Sequence, residues 1–428
     1  MAYTYHRAWR KVPLPGVLCV VTMMILMGSC TSSTAKGPRA PIRVPQDRPT
    51  IQAGIEAAAS GDLVLVSPGI YHETVVIQKK GVTLRGLDRN TVILDGEYKK
   101  ESGVIVAADG VVVENFTTRA YNANGIHVNG GYSPEAVDPS KTFGLGNDAI
   151  KGYRLSYITS YNNGLYGIYV FGSRGGQVDH SLASGNPDSG LYIGQCKPCN
   201  ALVTNVLSES NAIGYEGTNA SGGVYIVHSI FRGNRIGMTP NSQKMEKLTP
   251  QTETFIAGNL IANNANPQSP AQAKGGFGQG VIIGGGTKNL VLKNRILGNT
   301  VAGVLITNFG EFAAENNRVE GNVMQDNGLD LGFDVPKTGS AGGNCFIGNT
   351  FRSSSPADIE TAMACAGAPG SLTGSPLGGA AAPPNVSYKV LPAPAAQPSM
   401  PDAATAAAAA MPETMPKVDL VSITVPEA

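Results

Sequence analysis

Residues 167–193 read GIYVFGSRGGQVDHSLASGNPDSGLYI, and this stretch begins and ends with the same short motif. The motif is Gly, apolar, any residue, apolar: Gly167-Ile168-Tyr169-Val170 first, then Gly190-Leu191-Tyr192-Ile193. Alternating apolar residues are typical of a strand, and glycine at its start marks a bend or a close approach of two backbones. The stretch therefore has the properties of one unit of a repeat.

The same motif recurs through the middle of the chain. Further copies begin at Gly103, Gly125, Gly280, Gly303 and Gly328, and degenerate copies are Ala212-Ile213-Gly214-Tyr215 and Arg235-Ile236-Gly237-Met238. Most copies follow one another at 22 to 25 residues, and two steps are near double. A second column begins with His180, Asn205, His228, Asn259, Asn294, Asn322 and Asn349, and a third column of asparagines follows it. This period predicts an all-β chain, a single-stranded right-handed parallel β-helix with three strands per coil and roughly nine or more coils.

Composition limits the classes of function. Only 15% of the residues are charged and the formal net charge is +1, so the whole protein lacks the basic surface of a nucleic-acid-binding protein. The 54 glycines have neither a collagen period nor a low-complexity tract. The repeat explains part of this excess, because one glycine opens the strand in most coils.

The N-terminus has the pattern of an export signal. Basic residues precede an apolar run, 17–27, which is too short to span a bilayer and ends at Met27-Gly28-Ser29-Cys30. This ending resembles the lipobox of bacterial lipoproteins, and the resemblance implies a lipid on Cys30, an extracytoplasmic location and attachment to the cell membrane. Ordinary signal cleavage, with Cys30 an incidental thiol, is the alternative.

The domain boundaries follow from composition. We expect a signal peptide at 1–29, a tether rich in Ser, Thr, Pro and Gly at 30–43, the β-helix at 44–366, and a largely disordered Pro- and Ala-rich tail at 367–428.

The first part of the β-helix carries a family resemblance. Residues 43–86, with Pro49-Thr50-Ile51, Pro68-Gly69-Ile70-Tyr71-His72-Glu73 and Gly81-Val82-Thr83-Leu84-Arg85-Gly86, resemble the opening of the pectin-lyase-like superfamily. They are similar both to pectin methylesterases and to copper-associated periplasmic β-helix proteins. Ile51, Ile55 and Ala58 at helical spacing suit the short N-terminal capping helix of that superfamily.

The catalytic signatures of enzymes with this fold are largely missing from the sequence. Gly69-Ile70-Tyr71-His72-Glu73 fits one pectin methylesterase motif, but the catalytic Asp strand and the Arg-Pro-Trp motif have no counterpart, so Tyr71 and Glu73 are interpreted as structural. The paired Asp and the Gly-His-Gly of polygalacturonases do not occur either.

A column of rings is the first candidate site. His127, Tyr169 and Tyr192 occupy the outward position on successive aligned coils, about 4.8 Å apart per coil. Such a stack suits sugar rings, and the alternative is that it only shields the sheet under a loop. Loops leaving the following turn would add Asp148, Lys151 and Arg174 to the same face.

The cysteines favour disulfides over metal. Cys345 and Cys365 flank the last coil and are predicted to form a bridge. Cys196 and Cys199 are predicted to close a tight turn, since a soft-metal site needs more than two thiols. His180 and His228 fall in the asparagine column and are interpreted as members of that ladder, so no metal ligand is assigned.

Three functions remain open on this basis. The first is a lipid-anchored protein that binds a polysaccharide or envelope glycan on its loop-lined face. The second is a lyase or epimerase acting on an acidic glycan, for which calcium would be the expected cofactor; otherwise no cofactor is assigned. The third is a non-catalytic envelope or metal-delivery scaffold, which sparse histidine disfavours. The sequence does not fix the oligomeric state.

Overall fold

The chain folds into three parallel sheets that wind around one narrow core. The computed structural model describes residues 39–129, 149–271, 276–334, 342–366, 381–409, 411–412 and 414–428. Each coil contributes a strand to sheet 1, then to sheet 2, then to sheet 3, and every strand pairs in parallel with its copy in the next coil. The predicted all-β, three-strand coil is thereby confirmed, and ten sheet 2 strands in the described residues satisfy the expected number of coils.

The strands have the following bounds. Sheet 1 contains Ile42–Val44, Leu63–Val66, Thr83–Gly86, Val111–Glu114, Ile150–Ser156, Ser173–Asp179, Ala201–Thr204, Ser221–Val227, Thr252–Ala257, Leu290–Leu292, Arg318–Glu320 and Cys345–Ile347. Sheet 2 contains Gly69–Tyr71, Val92–Asp95, Thr117–Arg119, Thr159–Tyr161, Leu182–Ser184, Leu207–Glu209, Ile230–Arg232, Leu260–Ala262, Arg295–Leu297 and Val323–Gln325. Sheet 3 contains Val75–Ile77, Ser102–Val106, Asn124–Asn129, Ile168–Phe171, Ser189–Gly194, Ile213–Thr218, Ile236–Asn241, Gln279–Gly284, Ala302–Thr307, Leu331–Asp334 and Ser354–Ser355.

A short helix, Ile51–Ala57, lies against the first coil. It begins at Thr50, whose hydroxyl accepts from the Ala53 N–H, and it buries Ile51 and Ile55. The Glu73 carboxylate accepts the Ile51 N–H at 3.0 Å and so satisfies one of the donors that a helix N-terminus leaves free. Glu73 is thus structural, as predicted. Two further short helices are Ile359–Ala362 and the 3₁₀ turn Tyr388–Val390.

Asparagine ladders fix the turns between sheets. Asn294 shows the arrangement: its Oδ1 accepts from both the backbone N–H and the Nδ2 of Asn259, and its Nδ2 donates to Asn322 Oδ1 and to Ile256 O. A second ladder follows sheet 2 and includes Asn264. Buried amides that satisfy one another and the backbone make each coil dictate the position of the next.

The glycine column exists because of these ladders. A Cβ added to Gly237 would lie 2.3 Å from the carbonyl oxygen of Gly280 in the next coil and 2.9 Å from Asn264 Nδ2. Equivalent approaches occur at Gly214 and Gly280. Only glycine leaves room for the ladder amide beside the adjacent strand.

The prediction that His180 and His228 belong to the asparagine ladder is wrong by one residue. The ladder positions in those coils are Ser181 and Ser229, whose hydroxyls accept backbone N–H groups as the asparagines do elsewhere. His180 and His228 precede them and have left-handed backbone, with φ of 48° and 50°. The sequence pattern misplaces these histidines for two reasons. Serine replaces asparagine at the ladder position in their coils, and in another coil an asparagine, Asn205, occupies the left-handed position that precedes the ladder.

Both predicted disulfides are present. Cys196 and Cys199 are joined across the turn that follows a sheet 3 strand, and Cys345 is joined to Cys365 at the end of the last coil. No helix in the described ranges is long and apolar enough to cross a membrane.

The C-terminal segment, by which we mean the described residues 381–409, 411–412 and 414–428, contacts the β-helix, whereas the composition of 367–428 predicts disorder. The fully buried Arg85 donates to the carbonyl oxygens of Ala403, Ala406 and Ala407. Farther along, Ile423 is buried among apolar residues on the outer side of sheet 1. A Pro- and Ala-rich chain forms few hydrogen bonds with itself, but its free carbonyls satisfy arginines of the β-helix, which composition alone does not reveal.

Candidate functional site

Three rings lie side by side on the outer side of sheet 3. The register pairs His127 with Tyr169 and Tyr169 with Tyr192, as the repeat indicates. Their ring centres are 5.1 and 4.8 Å apart, and the flanking Ile126 and Val128 point into the core. We call these three residues the ring column.

The ring column is covered rather than open. Tyr166, from the turn between sheets 2 and 3, stacks on Tyr169 with ring centres 4.5 Å apart and lies 5.3 Å from Tyr192. Only 3% of Tyr192 is exposed. The described residues therefore do not present an extended flat platform for a glycan here, because Tyr192 is buried and His127, Tyr166 and Tyr169 are only partly exposed.

Three carboxylates continue the column. Glu216 is the register partner of Tyr192 in the next coil. Ser189 Oγ donates to Glu216 Oε2 at 2.9 Å and lies 3.2 Å from Asp188 Oδ1. Glu246, from the loop between sheets 3 and 1, accepts the Tyr192 hydroxyl at 2.6 Å. We call Asp188, Glu216 and Glu246 the carboxylate cluster.

Burial and mutual repulsion hold protons on this cluster. Burial, together with the charges of Asp188 and Glu246, raises the pKa of Glu216 to about 7. Burial likewise raises the pKa of Glu246 to about 7, although the Tyr192 hydrogen bond opposes it. The pKa of Asp188 is also raised by burial, against hydrogen bonds from Tyr166 and Ser189. None of the described ion pairs supplies these three carboxylates with a cation. Near pH 7 Glu216 and Glu246 are therefore each partly protonated, and the cluster contains both a carboxylic acid that can donate a proton and a carboxylate that can accept one.

The ring column supplies neutral groups. Burial lowers the pKa of His127 to about 4, so its imidazole is uncharged at neutral pH. Burial raises the pKa values of Tyr169 and Tyr192. His127 Nε2 and Glu246 Oε2 are buried without a hydrogen-bond partner among the described residues. Unpartnered buried polar atoms are costly, and a bound ligand would relieve that cost.

The arrangement suits proton transfer. A neutral carboxylic acid with a second carboxylate beside it provides a proton donor and a proton acceptor that work near pH 7. In the part of the chain that the structure describes, no three His, Cys, Asp or Glu side chains are grouped to hold a metal ion.

The other predicted ligand-binding residues lie elsewhere or outside the described ranges. Lys151 and Arg174 are register partners in sheet 1, where they line a groove of about 250 Å³ beside the C-terminal segment, away from the carboxylate cluster. Asp148 and Cys30 are outside the described residues. The site-residue predictions for Lys151, Arg174, Asp148 and Cys30 remain predictions.

Sequence reasoning missed the carboxylate cluster because two degenerate repeats were aligned two residues off. The register pairs Tyr215, not Ile213, with Leu191, and Met238, not Ile236, with Val281. Aligning the glycines, Gly190 with Gly214, would have placed Glu216 directly beside Tyr192. The repeat pattern does not predict the position of Glu246, because this residue reaches the sheet from a loop.

Comparison with known proteins supports the architecture. No family model and no curated protein matches the chain. The A-module of mannuronan C-5 epimerase AlgE4 from Azotobacter vinelandii is similar in structure, with a TM-score of 0.52 and 16% identity over 72% of this chain and 92% of that one. The AlgE6 A-module from the same organism has a TM-score of 0.48 with 17% identity over 71% and 90%, and pectate lyase Pel9A has 0.44 with 16% identity over 71% of each chain. The three parallel sheets and the likeness to AlgE4 show that this chain has the right-handed parallel β-helix fold.

Proposed function

We propose that this chain is an extracytoplasmic enzyme that acts on an acidic polysaccharide by removing the C5 proton of a uronate, as a lyase or an epimerase. The observation that carries the proposal is that Asp188, Glu216 and Glu246 lie together, partly buried, beside stacked rings, and that no described ion pair gives them a cation. Structural side chains rarely bury three carboxylates unpaired, because desolvation is expensive, whereas perturbed carboxylates are common at catalytic sites.

Each group has a chemical role in such a reaction. The C5 proton of a uronate becomes acidic only when the neighbouring carboxylate is neutralised. One of Glu216 and Glu246, in its protonated form, donates a hydrogen bond to that carboxylate, and the other, in its ionised form, accepts the C5 proton. A lyase then expels the C4 oxygen with the electron pair, and a donated proton completes the leaving hydroxyl. An epimerase instead returns a proton to the opposite face of C5.

The similarity to the AlgE4 A-module is consistent with this substrate class. The epimerase with the TM-score of 0.52 acts on mannuronan. At 16% identity this likeness supports only the fold, so the residues of this chain carry the argument for chemistry.

The second candidate is a lipid-anchored protein that binds a glycan without altering it. The ring column favours binding of sugars, and the sequence around Cys30 favours attachment to the membrane. Both features are compatible with the enzyme as well, so only turnover separates the two functions.

A panel of acidic polysaccharides tests the proposal. We would incubate the protein with polymannuronate, polygalacturonate and a glucuronate polymer, with and without calcium. Ultraviolet absorption reports unsaturated ends, and NMR reports inverted C5 centres. Glu216→Gln should abolish turnover, while the matched control Glu209→Gln, a sheet 2 carboxylate paired with Arg232, should not. Binding without turnover on any polymer favours the second candidate, and absence of both contradicts the proposal.

A further inference from the structure

A second cavity lies on the outer side of sheet 2, on a different sheet from the carboxylate cluster. It is an open groove of about 470 Å³, within the range of small-ligand sites. Its floor consists of Asp95, Arg119 and Tyr161, which are register partners on three successive coils. One wall belongs to the C-terminal segment, at Leu391 and Ala393.

The polar groups of the floor are fixed by one another. Arg119 Nε and Nη2 lie 2.9 and 2.8 Å from Asp95 Oδ2, and Arg119 Nη1 donates to Tyr161 Oη at 3.1 Å. Asp95 Oδ1 also accepts the Glu97 N–H at 2.8 Å. Hydrogen-bonding groups held in this way are preorganised for a ligand, because little side-chain entropy is lost on binding.

An aromatic wall is held by an unusual backbone. Glu97 and Tyr98 are consecutive residues with left-handed backbone, with φ of 52° and 54°. Such strained backbone conformations cluster at ligand sites, where the surrounding structure maintains them. Here Lys389 Nζ lies 5.0 Å from the Tyr98 ring centre, and the Tyr388 ring packs edge-on at 5.7 Å.

We propose that this groove binds a neutral sugar, as a mono- or disaccharide unit of a glycan. Asp95 is paired with Arg119 and Glu97 with Lys99, and the Lys389 ammonium lies against the Tyr98 ring, so a charged ligand would have to draw one of these groups away from its present contact. A hydroxyl both donates and accepts, and can therefore bond to carboxylate and guanidinium without displacing either. Tyr98 supplies the apolar contact that a sugar ring requires.

This site goes beyond the proposed enzymatic function and does not depend on it. A neutral sugar bound on sheet 2 would hold a glycan to the protein whether or not the carboxylate cluster turns over a uronate. The test is therefore made by binding, and it includes the Glu216→Gln variant to keep the two proposals separate.

Saturation-transfer NMR with three neutral disaccharides is the experiment. Cellobiose, maltose and N,N′-diacetylchitobiose are tested against the full chain, with digalacturonate as the charged comparison. Ala393→Trp places a bulky side chain in the groove, and Ala396→Trp, on the same segment but outside the groove, is its matched control. Tyr98→Ala removes the aromatic wall, and the melting temperature of each variant verifies folding.

The expected result is saturation transfer to at least one neutral disaccharide, abolished by Ala393→Trp and weakened at least tenfold in affinity by Tyr98→Ala. Ala396→Trp and Glu216→Gln should bind as the wild type does. No transfer to any neutral sugar, transfer to digalacturonate alone, or undiminished transfer with Ala393→Trp would overturn the proposal.

Discussion

Replacing Glu216 with glutamine should change how stability depends on pH. Burial raises the pKa of Glu216 to about 7 from an ordinary value of 4.5, so the folded protein holds this proton more tightly than the unfolded chain. The corresponding stability is fully present below pH 4.5 and is lost as the pH rises through about 7. Glutamine imitates the protonated acid and cannot lose a proton.

The magnitude follows from the two pKa values. A difference between 4.5 and about 7 corresponds to roughly 3 kcal/mol of unfolding free energy once the pH exceeds both values. Most of this loss, about 2–3 kcal/mol, should occur between about pH 5 and about pH 8.5. Relative to the wild type, Glu216→Gln should therefore gain that amount of stability over the same interval.

Urea unfolding followed by circular dichroism measures this difference. Wild type, Glu216→Gln and the control Glu209→Gln are unfolded at several pH values, and the free energies are compared pairwise. Glu209→Gln should follow the wild type. Parallel pH profiles for the wild type and Glu216→Gln would refute the inference that Glu216 keeps its proton.

Three further predictions concern the scaffold and its attachment. Asn294→Ala leaves the ladder groups of both neighbouring coils without their hydrogen-bond partners, and we expect it to lower the free energy of unfolding by about 3 kcal/mol. The control Gln325→Ala, at an exposed position, should lower it by less than about 0.5 kcal/mol. Urea titration measures both values. Arg85→Ala should leave the Glu114 charge buried and free the C-terminal segment, seen as a lower melting temperature and early cleavage of that segment in limited proteolysis; equal cleavage of wild type and variant would contradict this. Cys30→Ala should release the protein from membranes on fractionation, and unchanged membrane association would exclude a lipid on Cys30.

The repeat made the fold predictable, because a parallel β-helix places the same constraint on every coil. Glycine recurs wherever a ladder amide approaches the next strand, as Asn264 approaches Gly237. The recurring glycines and asparagines therefore make the repeat visible in the sequence. The ladder itself was predictable only where asparagine is used. Ser181 and Ser229 perform the same role with a hydroxyl, and there the sequence pattern points to the preceding histidines.

The site was predictable only in part. The pairing of His127, Tyr169 and Tyr192 followed from the period, since their motifs are well preserved. Glu216 was hidden in a degenerate copy, and Glu246 reaches the sheet from a loop, which no period governs. The contacts of the C-terminal segment were unpredictable for a related reason: its composition describes the segment alone, whereas its partners include Arg85 and Arg89, more than 300 positions away in sequence.

Release of label from C5 is the measurement that most directly tests the central claim. Uronate polymers carrying tritium at C5 are incubated with the protein, because a lyase and an epimerase both remove that hydrogen. We predict that wild type and Glu209→Gln release tritium into water from at least one polymer and that Glu216→Gln releases none above background. Retention of the label with every polymer, or equal release by Glu216→Gln, would contradict the assignment of the carboxylate cluster as a catalytic site.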